Sequence, residues 1–249
     1  MQILNLFRSC MESRLSGKHI IRSSSRDKEF HFQDWISERL RDAGIEYDTL
    51  GRNSYPDYVF VRSAEGIEVK GLEWPGREAD FDSNSQVPVG RNNGRDIYYV
   101  FGRYPKYVTD ISEYPVTDLV IAHGNFLNSH NTEHQNKSFR GFGSYGDILI
   151  RDRKMYVVPT PFALTTGTAG NITLIVPDSA SIKHESLRVA GVLERTEAEH
   201  LIIGYEFDLR SNKILPRTMP NPSFGLIHRF VAFQDVHSDS SVSLIKKGA

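Results

Sequence analysis

The residues best suited to chemistry lie in SYPDYVFVRSAEGIEVKGL, where Asp57 is followed by Glu68 and Lys70. Tyr58, Val59, Phe60 and Val61 form a short apolar run, Ser63 to Gly66 supply a turn, and Ile67, Val69 and Leu72 continue as a second run. Two such runs split by a glycine-containing turn predict a β-hairpin. Alternate residues of a strand share a face, so Glu68 and Lys70 project together while Val69 points into the opposite, packed face. The twist of a hairpin can bring Asp57 alongside them. Two clustered carboxylates repel each other unless a cation sits between them. Mg2+ suits that place, because it is a hard cation that takes carboxylate, carbonyl and water oxygens. The Val69 backbone carbonyl is then a natural metal ligand beside Asp57 and Glu68. Lys70 adds a compact positive charge. Such a set could polarise a phosphate and activate an attacking water.

Pro56-Asp57, followed by Glu68-Val69-Lys70 beginning eleven positions after the aspartate, resembles the signature of the PD-(D/E)XK nuclease superfamily. More narrowly, the chain resembles type II restriction endonucleases over about residues 27–103, while its C-terminal half matches no named member. The resemblance implies an α/β fold with a restriction-endonuclease-like core, a mixed central sheet flanked by helices. It implies Asp57 and Glu68 as metal ligands, Lys70 as the group that positions or activates the water, and Mg2+ as cofactor. It also implies sequence-specific hydrolysis of double-stranded DNA to 5′-phosphates. A homodimer is expected, because a two-fold symmetric protein matches a palindromic site. A cognate DNA methyltransferase is expected in the same system, without a stable complex. The family often adds an acidic residue from the preceding helix. Here EFHFQDWISERL places Gln33 at that position and Glu29 one turn earlier, so one and two metals per site both stand.

Other elements must hold this hairpin in place. Residues 1–16 are mildly helical in pattern. Ser24, three residues before Asp27, is a weak capping box. Phe32, Trp35, Ile36, Leu40 and Ala43 follow at helical spacing, and Gly44 is the expected stop. Residues 73–96 lack periodicity and predict a long loop. Residues 97–103 and 118–122 predict strands, and 123–147 a second polar loop. Beyond it the pattern is β-rich, with strands at 148–151, 154–158, 172–176, 201–209 and 226–233 and a possible helix at 194–200. The expected organisation is one domain over 1–249, with a catalytic core to residue 125 and a β-rich extension from 126. That extension could complete the core, contact DNA or dimerise.

The loop after Lys70 carries Arg77, Asn84, Gln86, Arg91, Asn92, Asn93 and Arg95, with Arg103 at the end of the following strand. Arg suits the O6 and N7 of guanine, Asn and Gln suit the N6 and N7 of adenine, and Arg also serves phosphates. From these we take Arg77, Asn84, Gln86, Arg91, Asn92, Arg95 and Arg103 as candidate DNA contacts. Arg103 could equally pair with Asp118. The second loop holds His123, His130, His134, Lys137 and Arg140. Its His-x3-His spacing fits zinc only on a helix, and His130-Asn131 with His134 lacks the strand–helix setting of an HNH site.

The bulk properties narrow the alternatives. The formal net charge of −1 over 249 residues argues against a protein that coats nucleic acid nonspecifically, but not against one local basic cleft. A single cysteine, Cys10, excludes an intrachain disulfide and fits a reducing cytoplasm. No run of 18 apolar residues offers a membrane span. Two competitors remain. One is a structure-specific repair or resolvase-type nuclease of the same superfamily, and the other is a sequence-specific DNA-binding module whose Glu–Lys pair is only structural.

Overall fold

In the computed structural model, the described residues are 1–22, 28–51, 54–75, 81–82, 87–129, 145, 149–151, 155–158 and 172–237. Helix α1 (Gln2–Leu15) buries Ile3, Leu6, Phe7 and Cys10 at helical spacing. Strand β1 (Ile20–Ile21) leads towards α2 (Lys28–Asp42), which buries Phe32, Trp35, Ile36 and Leu40. Gly44 stops α2 as expected. Its φ of +65° is open to glycine, and it lets the Gly44 and Ile45 amides cap the Arg41 and Leu40 carbonyls. Ser24 lies outside the described residues.

Strands β2 (Tyr47–Asp48), β3 (Tyr58–Phe60) and β4 (Glu65–Glu73) form an antiparallel meander. Next come β5 (Phe81–Asp82), β6 (Arg91–Asn92) and β7 (Arg95–Tyr104), so the expected loop at 73–96 contains two short strands and the start of a third. Asn93 and Gly94, at φ +48° and +76°, close the tight β6–β7 turn, a conformation Asn and Gly both favour. Strands β8 (Glu113–Tyr114) and β9 (Asp118–His123) follow, with a short 3-10 turn at Gly124–Phe126. The remaining strands are β10 (Leu149–Arg151), β11 (Met155–Val158), β12 (Ile172–Pro177), β13 (Leu187–Thr196), β14 (His200–Asp208), β15 (Lys213–Pro220) and β16 (Ile227–Asp235).

A nine-stranded mixed sheet runs β13-β16-β12-β9-β7-β4-β3-β2, with β6 added beside β7. Strand β4 pairs parallel with β7 and antiparallel with β3, and β12 pairs parallel with β9. The β-rich C-terminal half therefore contributes strands to the same sheet as the Asp57–Lys70 hairpin. The expected helix at 194–200 is instead the end of β13 and the start of β14.

The sheet has two packed faces. On one, Ile67, Val69, Tyr98, Val100, Leu119, Ile121 and Leu174 meet the apolar sides of α1 and α2. On the other, Ile97, Tyr99, Phe101, Val120, Ala122, Ile175 and Phe230 pack together with Phe81 and Phe126. Helix α2 sits low on its face because Gly71 and Gly102 are cross-strand partners beneath Phe32. A Cβ at Gly102 would lie 2.0 Å from Phe32 Cζ, so only glycine admits the ring there. Among the described residues, no helix is long and apolar enough to cross a membrane.

Candidate active site

Strand β3 pairs with β4 only through Tyr58↔Ile67 and Val59↔Gly66, so it stops short of Glu68. Asp57 takes over that edge. Its Oδ2 accepts from the Val69 amide at 2.7 Å, and its own amide donates to Glu68 Oε2 at 3.2 Å. Lys70 Nζ stands 2.7 Å from Glu68 Oε1. The three residues singled out from spacing thus meet within one hydrogen-bonded cluster. Val69 is fully buried on the helix-covered face, which leaves Glu68 and Lys70 together on the other, as strand alternation requires. Both are well withdrawn from solvent, with side-chain exposures of 12% and 8%. A strand residue directs its N–H and C=O to the same edge, so the Val69 carbonyl faces the side where Asp57 receives the Val69 amide.

Among the described residues, no group of three or more His, Cys, Asp or Glu side chains is arranged to hold a metal ion. A cation at this edge would therefore rest on two carboxylates completed by backbone and water oxygens. That is a donor set Mg2+ takes readily, so the residues present fit the ion.

The alternation that sets Val69 under α2 sets Glu68 and Lys70 on the far side of the sheet from it. Gln33 accepts at its backbone carbonyl from Tyr58 Oη, 3.2 Å away. Glu29 lies in the first turn of α2, and its side chain is outside the described residues.

The candidate DNA contacts divide sharply. Arg77, Asn84 and Gln86 lie outside the described residues, as do His130, His134, Lys137 and Arg140. Arg91 is exposed on β6. Asn92 donates from Nδ2 to the Tyr55 carbonyl at 3.4 Å, two residues before Asp57. Arg95 Nη1 donates to the Phe60 and Ser63 carbonyls at 2.9 and 2.8 Å, clamping the turn between β3 and β4. Arg103 is buried, its guanidinium carbon 4.2 Å from the centre of the Trp74 ring, and it stands cross-strand from Asp118. The Trp74 ring covers the guanidinium, and only 5% of Arg103 is exposed, where the sequence suggested a side chain open to DNA. His123, expected in a polar loop, ends β9. Burial pushes its ring pKa down to about 4, and Nδ1 accepts from the Asn125 amide.

Two residues at the site carried no sequence signal. Tyr99 is the register partner of Glu68 across the β4–β7 pair, and its hydroxyl meets the Tyr55 hydroxyl at 2.7 Å. Burial pushes both hydroxyls well above the ordinary tyrosine range, and the charge of Glu68 adds to the rise.

No protein-family model matches the chain, and no curated protein matches it. The functional reading therefore rests on the site itself. The arrangement has two adjacent carboxylates, an ammonium 2.7 Å from one of them, and a strand edge presenting backbone oxygen. Such a set suits a phosphate ester whose charge rises during reaction.

Proposed function

We propose that this chain is a Mg2+-dependent type II restriction endonuclease that hydrolyses double-stranded DNA at a short specific sequence. The supporting observation is the Asp57–Glu68–Lys70 cluster, in which the two carboxylates and the ammonium share one edge of β4. Asp57, Glu68 and the Val69 carbonyl would hold Mg2+, which supplies Lewis-acid polarisation of the phosphate and a more acidic water. Lys70 places its ammonium beside Glu68, where it can orient the attacking water and offset the charge that builds on the phosphoryl oxygens. Water adds to phosphorus, the 3′ oxygen leaves and takes a proton, and the products are a 3′-hydroxyl and a 5′-phosphate. The PD-(D/E)XK core, a homodimer, a companion methyltransferase and a cytoplasmic setting belong to the same proposal.

One observation favours a second reading, a structure-specific repair or resolvase-type nuclease. Asn92, Arg95 and Arg103 are engaged by the protein's own backbone or core, which leaves Arg91 as the exposed base-reading candidate among the described residues. Incubation with phage DNA separates the possibilities. Discrete fragments with Mg2+ and none with EDTA support restriction. Cleavage confined to branched or flapped substrates supports the second reading. A gel shift without cleavage in either condition would remove the nuclease.

A further inference from the structure

Contacts that fasten Asp57 to β4 run through Asp57 Oδ2 and Glu68 Oε2. A bound cation would draw on the same two carboxylates. Glu68 Oε1 is engaged by Lys70. A cation that reorients these carboxylates would shift the segment carrying Asp57 unless its backbone is held from elsewhere. Tyr55, two residues before Asp57, is held independently. Its hydroxyl meets the Tyr99 hydroxyl at 2.7 Å, and its carbonyl accepts from Asn92. Tyr99 is almost fully buried on an interior strand, directly beside Glu68 in register, with its ring stacked 6.1 Å from Phe101. The anchor is therefore rigid at the β7 end and referenced to the same strand pair that positions Glu68.

We propose that Tyr55 and Tyr99 are positioning residues of the candidate active site, whose hydroxyl–hydroxyl bond fixes the separation of Asp57 from Glu68 when a cation occupies it. The proposal rests on the nuclease reading of that site. It assigns the pair no contact with substrate and no proton transfer. Partners that orient ligating groups govern cation affinity, because a ligand free to wander must be ordered each time the ion binds.

The test compares the wild-type chain with Tyr55→Phe, Tyr99→Phe and the double variant. Each Phe keeps the ring and its packing and removes only the hydroxyl. Mn2+ affinity is measured by calorimetry without DNA, and Mg2+ half-saturation, kcat and KM for a cleavable duplex are measured separately. Each single variant is expected to bind Mn2+ roughly tenfold more weakly and to need correspondingly more Mg2+, as loss of an outer partner usually causes. KM for DNA should stay unchanged, and the double variant should be no worse than the weaker single one, because both remove one bond. Wild-type Mn2+ affinity in all three variants overturns the positioning role, whatever happens to their melting temperatures. A wild-type chain that neither binds Mn2+ nor cuts DNA overturns the nuclease reading and this inference together.

Discussion

Glu68 and Glu197 are both withdrawn from water in one sheet system, yet their surroundings differ in kind. Glu197, just beyond β13, is 2% exposed and is met by Ser129 and His228 at Oε1 and by Asn221 at Oε2. Its backbone is tied to Leu226 and Gly225, so the cluster fastens the turn before β16. Burial alone would raise its carboxyl, but the hydrogen bonds from Ser129, Asn221 and His228 outweigh that and hold it below the ordinary range. Glu68 instead takes the Asp57 amide at Oε2 and the Lys70 ammonium at Oε1, and Asp57, a second carboxylate, is tied to the next residue of the same strand through the Val69 amide. A carboxylate surrounded by donors has the local features of a structural group. Two carboxylates fastened to one stretch of strand repel each other, and a cation between them would relieve that repulsion.

Substitutions that exchange stability for function should separate the two regions. Lys70→Ala is expected to reduce cleavage at least about a thousandfold, on the order of 4 kcal/mol of transition-state stabilisation, with DNA affinity largely kept. Single-turnover rates and a gel shift on one oligonucleotide check this, and cleavage at the normal rate would place the active site elsewhere. At the other cluster, Glu197→Ala is expected to cost about 3 kcal/mol, since it strands the buried Asn221 amide and removes the bonds from Ser129 and His228. Urea melts would show that loss, while cleavage per folded molecule stays unchanged. Lost activity at full stability would erase the distinction.

Acid should unfold the protein in two stages. His123, buried at the end of β9, has its ring pKa pushed down to about 4. The unfolded chain takes up that proton near pH 6.5, so stability is full above about 6.5 and falls by up to about 3 kcal/mol as pH drops towards 4. The contribution of Glu197, whose folded pKa is lowered, is present above its unfolded value near the acid end of that range and is lost as pH falls further through the folded value. Stability curves of wild type and His123→Gln should differ chiefly between those pH values, and parallel curves would contradict this. The smallest effect is at Asp57. Asp57→Asn removes the like charge but keeps an oxygen for the Val69 amide, so the metal-free protein should gain about 1 kcal/mol while cleavage disappears. A loss of stability would mean that Asp57 is as structural as Glu197.

The hairpin, the shared face of Glu68 and Lys70 and the buried Val69 were legible in the sequence because alternation is local and strict. Helix α2 was legible from the spacing of Phe32, Trp35, Ile36 and Leu40. Strand β13 was not. Its register shifts between Val189 and Gly191, which breaks the alternation, and Glu194 carries helical propensity that sheet pairing overrides, while Glu197 and Ala198 fall in the turn between β13 and β14. Strand β15 contains Pro216 and Pro220, which argue against a strand but are tolerated in a two-stranded ribbon with open edges. The roles of Arg95, Arg103, Tyr55 and Tyr99 depend on contacts across distant strands, such as Tyr99 against Glu68, and no spacing along the chain encodes those.

The most direct measurement digests one defined plasmid with the wild-type chain and with Lys70→Ala in Mg2+, followed by sequencing of the 5′-phosphorylated ends. The expected result is a set of ends at one short recurring sequence from the wild type alone. Intact plasmid with the wild type, or the same ends from both proteins, would contradict an active site built on Asp57, Glu68 and Lys70.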